Sequence, residues 1–360
     1  MSPLSDIIPQ VRVLIVDDST MMRTALVRML ESSPIIRVCG TARNGAEAIL
    51  KTKVLQPDVV TMDVDMPVLD GIQALKQIMR ETPCPVLMVS SMTTKGSAAT
   101  LEALEAGAFD FLAKEDLNHE AQALQLRYQL VEKIEAAARS PLALRKKPFH
   151  SIISAAENLR DPFHVVPKLV VVGTSTGGPK ALQEILPELP GDLPAAVLVI
   201  QHMPPGFTAP FAKRLNGLCR LAVREAEQGE MVEAGTVYVA PAGQHTTIHY
   251  NRLHQALLSL SDFPAETMHK PSVDITMLSV ADVFGEYALG IILTGMGCDG
   301  LEGMTAIRDA GGITIGQDEA TSAVYGMPRA CADRGILEKV VPLSQVPHEI
   351  LSALHYHTTQ

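Results

Sequence analysis

The chain contains no tryptophan, and only 4% of its 360 residues are aromatic. With a formal net charge of −10 as well, it offers neither a base-stacking platform nor a broad phosphate-binding surface, so nucleic acid is not an expected partner. Cysteine is also scarce. Cys39, Cys84, Cys219, Cys298 and Cys331 are an odd number with no C-x-x-C pair, which argues against a disulfide framework and against a thiolate zinc site. No apolar run approaches the roughly 18 residues that span a bilayer; the longest are strand-length pieces such as Ala195–Ile200 and Ala288–Leu293. Nor is a secretory leader expected: the first ten residues hold Asp6 and no basic cluster, and the apolar stretch after them is cut by Asp17 and Asp18. The expectation is a cytoplasmic chain with no direct membrane insertion.

What is present reads as an ordinary folded protein, with 47% hydrophobic and 19% charged residues. The length suits two domains. Residues 11–137 alternate short β-branched runs (Val11–Val16, Ile35–Gly40, Val59–Met62, Val86–Val89, Phe109–Ala113) with helix-compatible stretches. Five βα units of this kind predict an α/β flavodoxin-like domain, a parallel sheet covered by helices on both faces. Residues 1–10 form an N-terminal extension. Residues 138–167, with four prolines and the basic cluster Arg145, Lys146 and Lys147, read as a linker. A second alternating series (Leu169–Val172, Ala195–Ile200, Val237–Ala240, Leu289–Leu293, Ile313–Ile315) predicts a doubly wound, mostly parallel α/β domain over 168–360. His245–Leu260 alternates around Tyr250-Asn251-Arg252 and reads as an inserted hairpin.

Open parallel sheets bind ligands outside the carboxyl ends of their strands. In the first domain those ends carry Asp17 and Asp18, then Asp63, Ser90 and Lys114. Three carboxylates at a switch point repel one another unless a cation sits among them, and an all-oxygen site suits Mg²⁺. With a metal and a lysine to neutralise the phosphoryl oxygens, a carboxylate can attack phosphorus to give an acyl phosphate. Each residue alone reads more readily as a strand terminus or a solvated charge; four strand ends carrying complementary chemistry reverse that preference.

In the second domain three strand ends attract attention. Gly173-Thr174-Ser175-Thr176-Gly177-Gly178 is a sharp strand-to-helix turn and a literal G-x-S-x-G, so Ser175 is either an exposed nucleophile or part of a glycine-rich phosphate cradle. His202 follows the next strand and precedes Pro204-Pro205-Gly206, placing it either as a general base or as a structural histidine. Asp299 lies in Thr294-Gly295-Met296-Gly297-Cys298-Asp299-Gly300, where it caps a helix or orients His202. The same loop spells G-x-G-x-x-G, with Asp318 further on, which keeps a nicotinamide enzyme as a rival; that reading explains neither Ser175 nor His202. An α/β-hydrolase is disfavoured because the candidates run Ser, His, Asp along the chain.

Two resemblances sharpen these expectations. L-I-V-D-D at 14–18, D-V-D-M-P-V-L-D-G at 63–71, V-S-S at 89–91 and the lysine after F-D-F-L-A closely resemble the response-regulator receiver family over about 11–137. The resemblance implies Asp63 as phospho-acceptor and Mg²⁺ held by Asp18, Asp63 and the backbone carbonyl of Asp65, with Asp17 assisting. It also implies Ser90 and Phe111 as switch residues and Lys114 as phosphate partner. Glu115 stands where receivers carry proline, which bears on the cis peptide the family places there.

V-G-T-S-T-G-G-P at 172–179, Q-H-M-P-P-G-F-T at 201–208, K-P-S-V-D at 270–274 and L-T-G-M-G-C-D-G at 293–300 closely resemble the catalytic domain of the chemotaxis protein-glutamate methylesterase family. This implies Ser175 as nucleophile, His202 as base and Asp299 as its partner, with the backbone amides of Thr176 and Met296 for the oxyanion and no cofactor in this domain. It further implies methyl-accepting chemoreceptors as substrates, deamidation of certain receptor glutamines, a chemotaxis histidine kinase as phosphodonor, association with receptor clusters, and a receiver that restrains the esterase until phosphorylated.

Overall fold

A computed structural model describes residues 10–91, 94–114, 120–140 and 168–356. Most of the expected extension and linker, and Glu115 with its departure from the receiver pattern, lie outside the described residues. The chain divides into two compact units, Met1–Pro148 and Phe149–Gln360.

The first unit is a five-stranded sheet in the order β2-β1-β3-β4-β5, all pairs parallel. Its strands are β1 (Val11–Val16), β2 (Ile36–Ala42), β3 (Val59–Asp63), β4 (Val86–Ser91) and β5 (Asp110–Lys114). The apolar runs become strands because helices bury them: on one face Val13, Ile15, Val59 and Leu87 are fully buried with helix residues Leu26, Leu30, Leu130 and Ile134, and the alternate strand residues Leu14, Val60 and Met62 are fully buried as well. Three helices start where short polar side chains satisfy their free N–H groups. Ser19 accepts from Met22, Asn44 from Glu47 and Asp70 from Gln73. The order places β1 beside β3, so Asp17, Asp18 and Asp63 emerge at neighbouring strand ends.

The second unit holds β6 (Leu169–Thr174), β7 (Ala196–Gln201), β8 (Ala222–Glu225), β9 (Thr236–Val239), β12 (Ala288–Ile292), β13 (Ile313–Gln317) and β14 (Lys339–Val341) in one sheet. The order is β14-β13-β12-β6-β7-β9-β8, again all parallel. The expected hairpin is present as the antiparallel pair β10 (His245–Tyr250) and β11 (Ala256–Ser261). Two strands escaped the sequence reading, β8 and β14. Both are sheet edges of four and three residues, too short to show an apolar run. Among the described residues no helix is long and apolar enough to cross a membrane.

Strand order decides which loops can meet. β6 lies between β7 and β12, so the three loops singled out in the sequence leave adjacent strands. Helices Val273–Phe284 and Leu301–Asp309 cross close by at Gly303, where an added Cβ would lie 2.4 Å from the Met277 Cβ and 3.3 Å from the Asp274 carbonyl oxygen. Gly303→Ala is therefore expected to overpack this crossing and to lower stability by about 1–3 kcal/mol, measured as a shift in urea midpoint at unchanged slope.

Candidate functional site

In the second unit the strand-end residues are polar and buried: Thr174, Gln201, Thr294 and Gln317 are at most 2% exposed. They tie the loops together. Thr174 Oγ1 donates to the Thr294 carbonyl (2.8 Å), the Ser175 N–H donates to the same carbonyl (3.0 Å), and Gln317 Oε1 accepts from the Thr294 N–H (2.8 Å). Gln201 Nε2 donates to the carbonyls of both Ser175 (2.9 Å) and His202 (3.0 Å). Gly295 has no Cβ because one would meet the Ser175 Cβ at 2.9 Å, so the glycine of this loop serves its packing against Ser175. Asp318, the acidic partner a dinucleotide site would need, accepts instead from Thr321 N–H (3.0 Å) and Thr321 Oγ1 (2.6 Å) in its own turn.

His202 and Asp299 meet. His202 Nε2 lies 2.7 Å from Asp299 Oδ2, with both side chains largely buried. Since the ionised carboxylate only accepts, Nε2 carries the proton and Nδ1 keeps the lone pair. Among the described residues Nδ1 has no hydrogen-bond partner. The imidazole also stacks on His269, with centroids 4.0 Å apart and planes at 16°.

Asp299 takes three further donors from the start of helix Val273–Phe284. Ser272 Oγ (2.9 Å) and the Asp274 N–H (2.9 Å) reach Oδ1, and the Val273 N–H (2.8 Å) reaches Oδ2. Burial alone would raise this carboxyl, but the His202 bond and the helix N–H groups outweigh it and hold it well below the usual carboxylate range. Behind Ser272 sits His245, fully buried, whose Nδ1 accepts the Ser272 N–H (3.2 Å). Burial holds its pKa below the ordinary imidazole value, consistent with that acceptor role. Neither Ser272 nor His245 nor the strand-end glutamines carry a role in the sequence reading; for Gln201 and Gln317 the available signal is a polar residue closing an otherwise apolar strand, and for Ser272 its place before a helical run. Thr176, buried, follows Ser175 on its turn, and Met296, half-buried, lies in the loop after β12.

In the first unit Lys114 Nζ bridges Asp17 Oδ2 (2.8 Å) and Asp63 Oδ2 (2.6 Å). Oxygens of Asp17, Asp18 and Asp63 lie within 4.8 Å of one another. Burial pushes the Asp63 carboxyl up, with Asp17 adding to it and Lys114 opposing. Burial pulls the Lys114 ammonium down, yet the two carboxylates prevail and raise it. Asp17 Oδ2, though close to the ammonium, receives no well-directed hydrogen bond, which leaves an oxygen lone pair for a cation. The donor set fits a hard divalent ion. Asp65 is exposed, outside the carboxylate cluster; Ser90 is buried with Oγ 3.5 Å from the Gly96 carbonyl, and Phe111 is buried.

Comparisons with known proteins agree with both halves. Residues 170–350 match the family described as CheB methylesterase, and residues 13–125 match the response regulator receiver domain. The protein-glutamate methylesterase/protein-glutamine glutaminase of Desulfitobacterium hafniense is 43% identical, over 96% of this chain and 97% of the relative. That of Caldanaerobacter subterraneus is 44% identical, over 96% and 97%. The crystal structure of the Thermotoga maritima CheB methylesterase catalytic domain aligns with a TM-score of 0.51 at 38% identity, covering 52% of this chain and 99% of that one. The chain belongs to the CheB methylesterase family, as an ester hydrolase carrying a response-regulator receiver domain.

Removing the Asp299 carboxylate strands several buried donors, so Asp299→Ala is expected to cost on the order of 3 kcal/mol at pH 7. A carboxyl held below its unfolded value stabilises the fold above about pH 4 and loses that contribution as pH falls toward its folded value. The difference between wild type and variant should accordingly narrow below about pH 4 in denaturation measured at pH 7, 4 and 3.

Proposed function

We propose that this chain is a phosphorylation-activated serine esterase that hydrolyses glutamyl methyl esters on the cytoplasmic helices of chemoreceptors, releasing methanol, and deamidates specific receptor glutamines. The observation that carries the reading is the 2.7 Å pair between His202 Nε2 and Asp299 Oδ2, at the ends of the two strands that flank the one bearing Ser175.

With Nε2–H given to Asp299, His202 Nδ1 is the nitrogen that takes the Ser175 hydroxyl proton as Oγ attacks the ester carbonyl. Asp299 keeps the tautomer and stabilises the imidazolium that forms. The carbonyl oxygen, now an oxyanion, is received by the backbone N–H groups of Thr176 and Met296. His202 returns the proton to the methoxide leaving group, methanol departs, and a glutamyl ester of Ser175 remains. Water, deprotonated by His202, then attacks that ester and frees the glutamate and Ser175. On a glutamine the same steps release ammonia.

In the receiver, Asp63 is the phospho-acceptor: its Oδ2 attacks the phosphorus of the chemotaxis histidine kinase's phosphohistidine, forming the acyl phosphate as the P–N bond breaks and the imidazole leaves, or that of a small phosphodonor, whose own leaving group departs in the same way. Mg²⁺ would be held by Asp17, Asp18, Asp63 and the Asp65 carbonyl, where it supplies charge neutralisation of the phosphoryl oxygens. Lys114 already spans Asp17 and Asp63 and is placed to pair with the phosphoryl group. Ser90 and Phe111 read its arrival. Phosphorylation shifts activity only by its differential free energy between the receiver's two states. The enzyme works where its substrates lie, at receptor clusters.

Methanol release from methylated receptor membranes tests the esterase. Ser175→Ala and His202→Ala are each expected to lower kcat by on the order of 10⁶, and Asp63→Asn to abolish stimulation by phosphodonor with Mg²⁺ while leaving basal release. A loss below tenfold in Ser175→Ala overturns the serine mechanism. Mg²⁺ alone should raise the receiver's melting temperature, by a stabilisation of about 2.7 kcal/mol at a hundredfold excess over Kd, and Asp17→Asn should remove that shift in differential scanning fluorimetry.

A further inference from the structure

The two acids at the helix crossing are reciprocal. Asp299 accepts from the first N–H groups of helix Val273–Phe284, and Asp274, in the first turn of that helix, accepts the Gly303 N–H of helix Leu301–Asp309 at 2.8 Å. The second helix begins just after Asp299, and its N-cap is Gly300, at φ +100°, which has no side chain to cap with. Asp274 supplies the missing cap from the neighbouring helix. Gly303 permits the close approach that this bond needs.

We propose that Asp274 is a positioning residue for the esterase reaction: by holding the start of helix Leu301–Asp309 it sets the orientation of the Asp299 carboxylate, and its negative charge behind Asp299 sustains the basicity of His202. The inference rests on Ser175, His202 and Asp299 acting as the catalytic set.

The electrostatics agree with the geometry. Burial, with the neighbouring Asp299 charge, pushes the Asp274 carboxyl up to about 6. Asp299 is the charged group that faces it from the loop after β12. Cys331, from helix Met327–Asp333, also feels the Asp274 charge, and burial pushes this thiol up to about 12, so it stays neutral. Glu302, in the first turn of the second helix, is directed to Arg334 at 3.3 Å. His202 meets Asp299 at Oδ2, whereas the Asp274 N–H meets it at Oδ1. Asp274 is thus ionised at neutral pH, and when protonated it becomes a donor that competes with His202 for Asp299.

The test is the pH dependence of methanol release by the full chain, comparing wild type, Asp274→Asn, Asp274→Glu and Ser175→Ala between pH 5 and 9. Asp274→Asn removes the charge and turns an amide N–H toward Asp299. It is expected to lower kcat about tenfold with KM within twofold, and to move the acid limb of kcat/KM to lower pH as His202 becomes a weaker base. Asp274→Glu, which keeps the charge, should restore part of kcat and return the acid limb toward wild type. Urea midpoints separate stability from catalysis. A destabilised Asp274→Asn whose kcat and acid limb match wild type, or one altered only in KM, overturns the proposal. If Asp274→Asn fails to fold, Gly303→Ala, which loosens the same bond, takes its place: a lowered kcat with KM held within twofold supports the proposal, and an unchanged kcat overturns it. Activity remaining in Ser175→Ala would overturn the serine mechanism itself, an outcome distinct from any Asp274 result.

Discussion

A carboxylate can be buried and stay ionised only where its oxygens are fully supplied with donors, and the second unit is organised around one that is. Asp299 takes four: an imidazole, a hydroxyl and two backbone N–H groups at a helix start. That requirement dictates where helix Val273–Phe284 begins, why Ser272 precedes it and why His245 stands behind Ser272. The histidine inherits its tautomer from the same source. Remove the anion and the ring keeps its stack on His269 but loses the hydrogen bond that fixes its tautomer.

The sheet contributes by adjacency. In the order β12-β6-β7, three loops far apart in sequence leave neighbouring strands, and residues 97 positions apart share a hydrogen bond. Polar side chains at the strand ends then lock the loops to one another through carbonyls, so Ser175 and His202 each start from a backbone held at two points. The receiver applies the same rule to opposite effect. Its strand ends gather carboxylates, and Lys114 is the positive charge that makes their proximity tolerable.

Much of this was legible in the sequence. Apolar runs spaced by helical stretches revealed both sheets, and their terminal residues pointed to the acidic cluster and to the Ser175, His202 and Asp299 loops. Edge strands β8 and β14 were not legible, because three or four residues exposed on one side carry no periodic signal. The supporting residues were hidden for another reason. Ser272, Asp274 and His245 act through partners 25 to 29 positions distant, and Gln201 through a carbonyl 26 residues away; no local pattern encodes such pairings. The glycines of residues 295–300 misled in part: they fit a cofactor fingerprint, whereas Gly295 answers to the Ser175 side chain and Gly300 to a backbone turn at positive φ.

The amides of Ser175 and His202 are themselves sheet-like, bonded to the carbonyls of Thr294 and Thr174. Active-site loops usually belong to the least stable parts of a protein, opening independently of the core. Here the backbone of Ser175 and His202 is continuous with the central strands, so those amides are expected to exchange only when the middle of the sheet opens. Local breathing of the loops alone would leave these two backbone positions in register with each other.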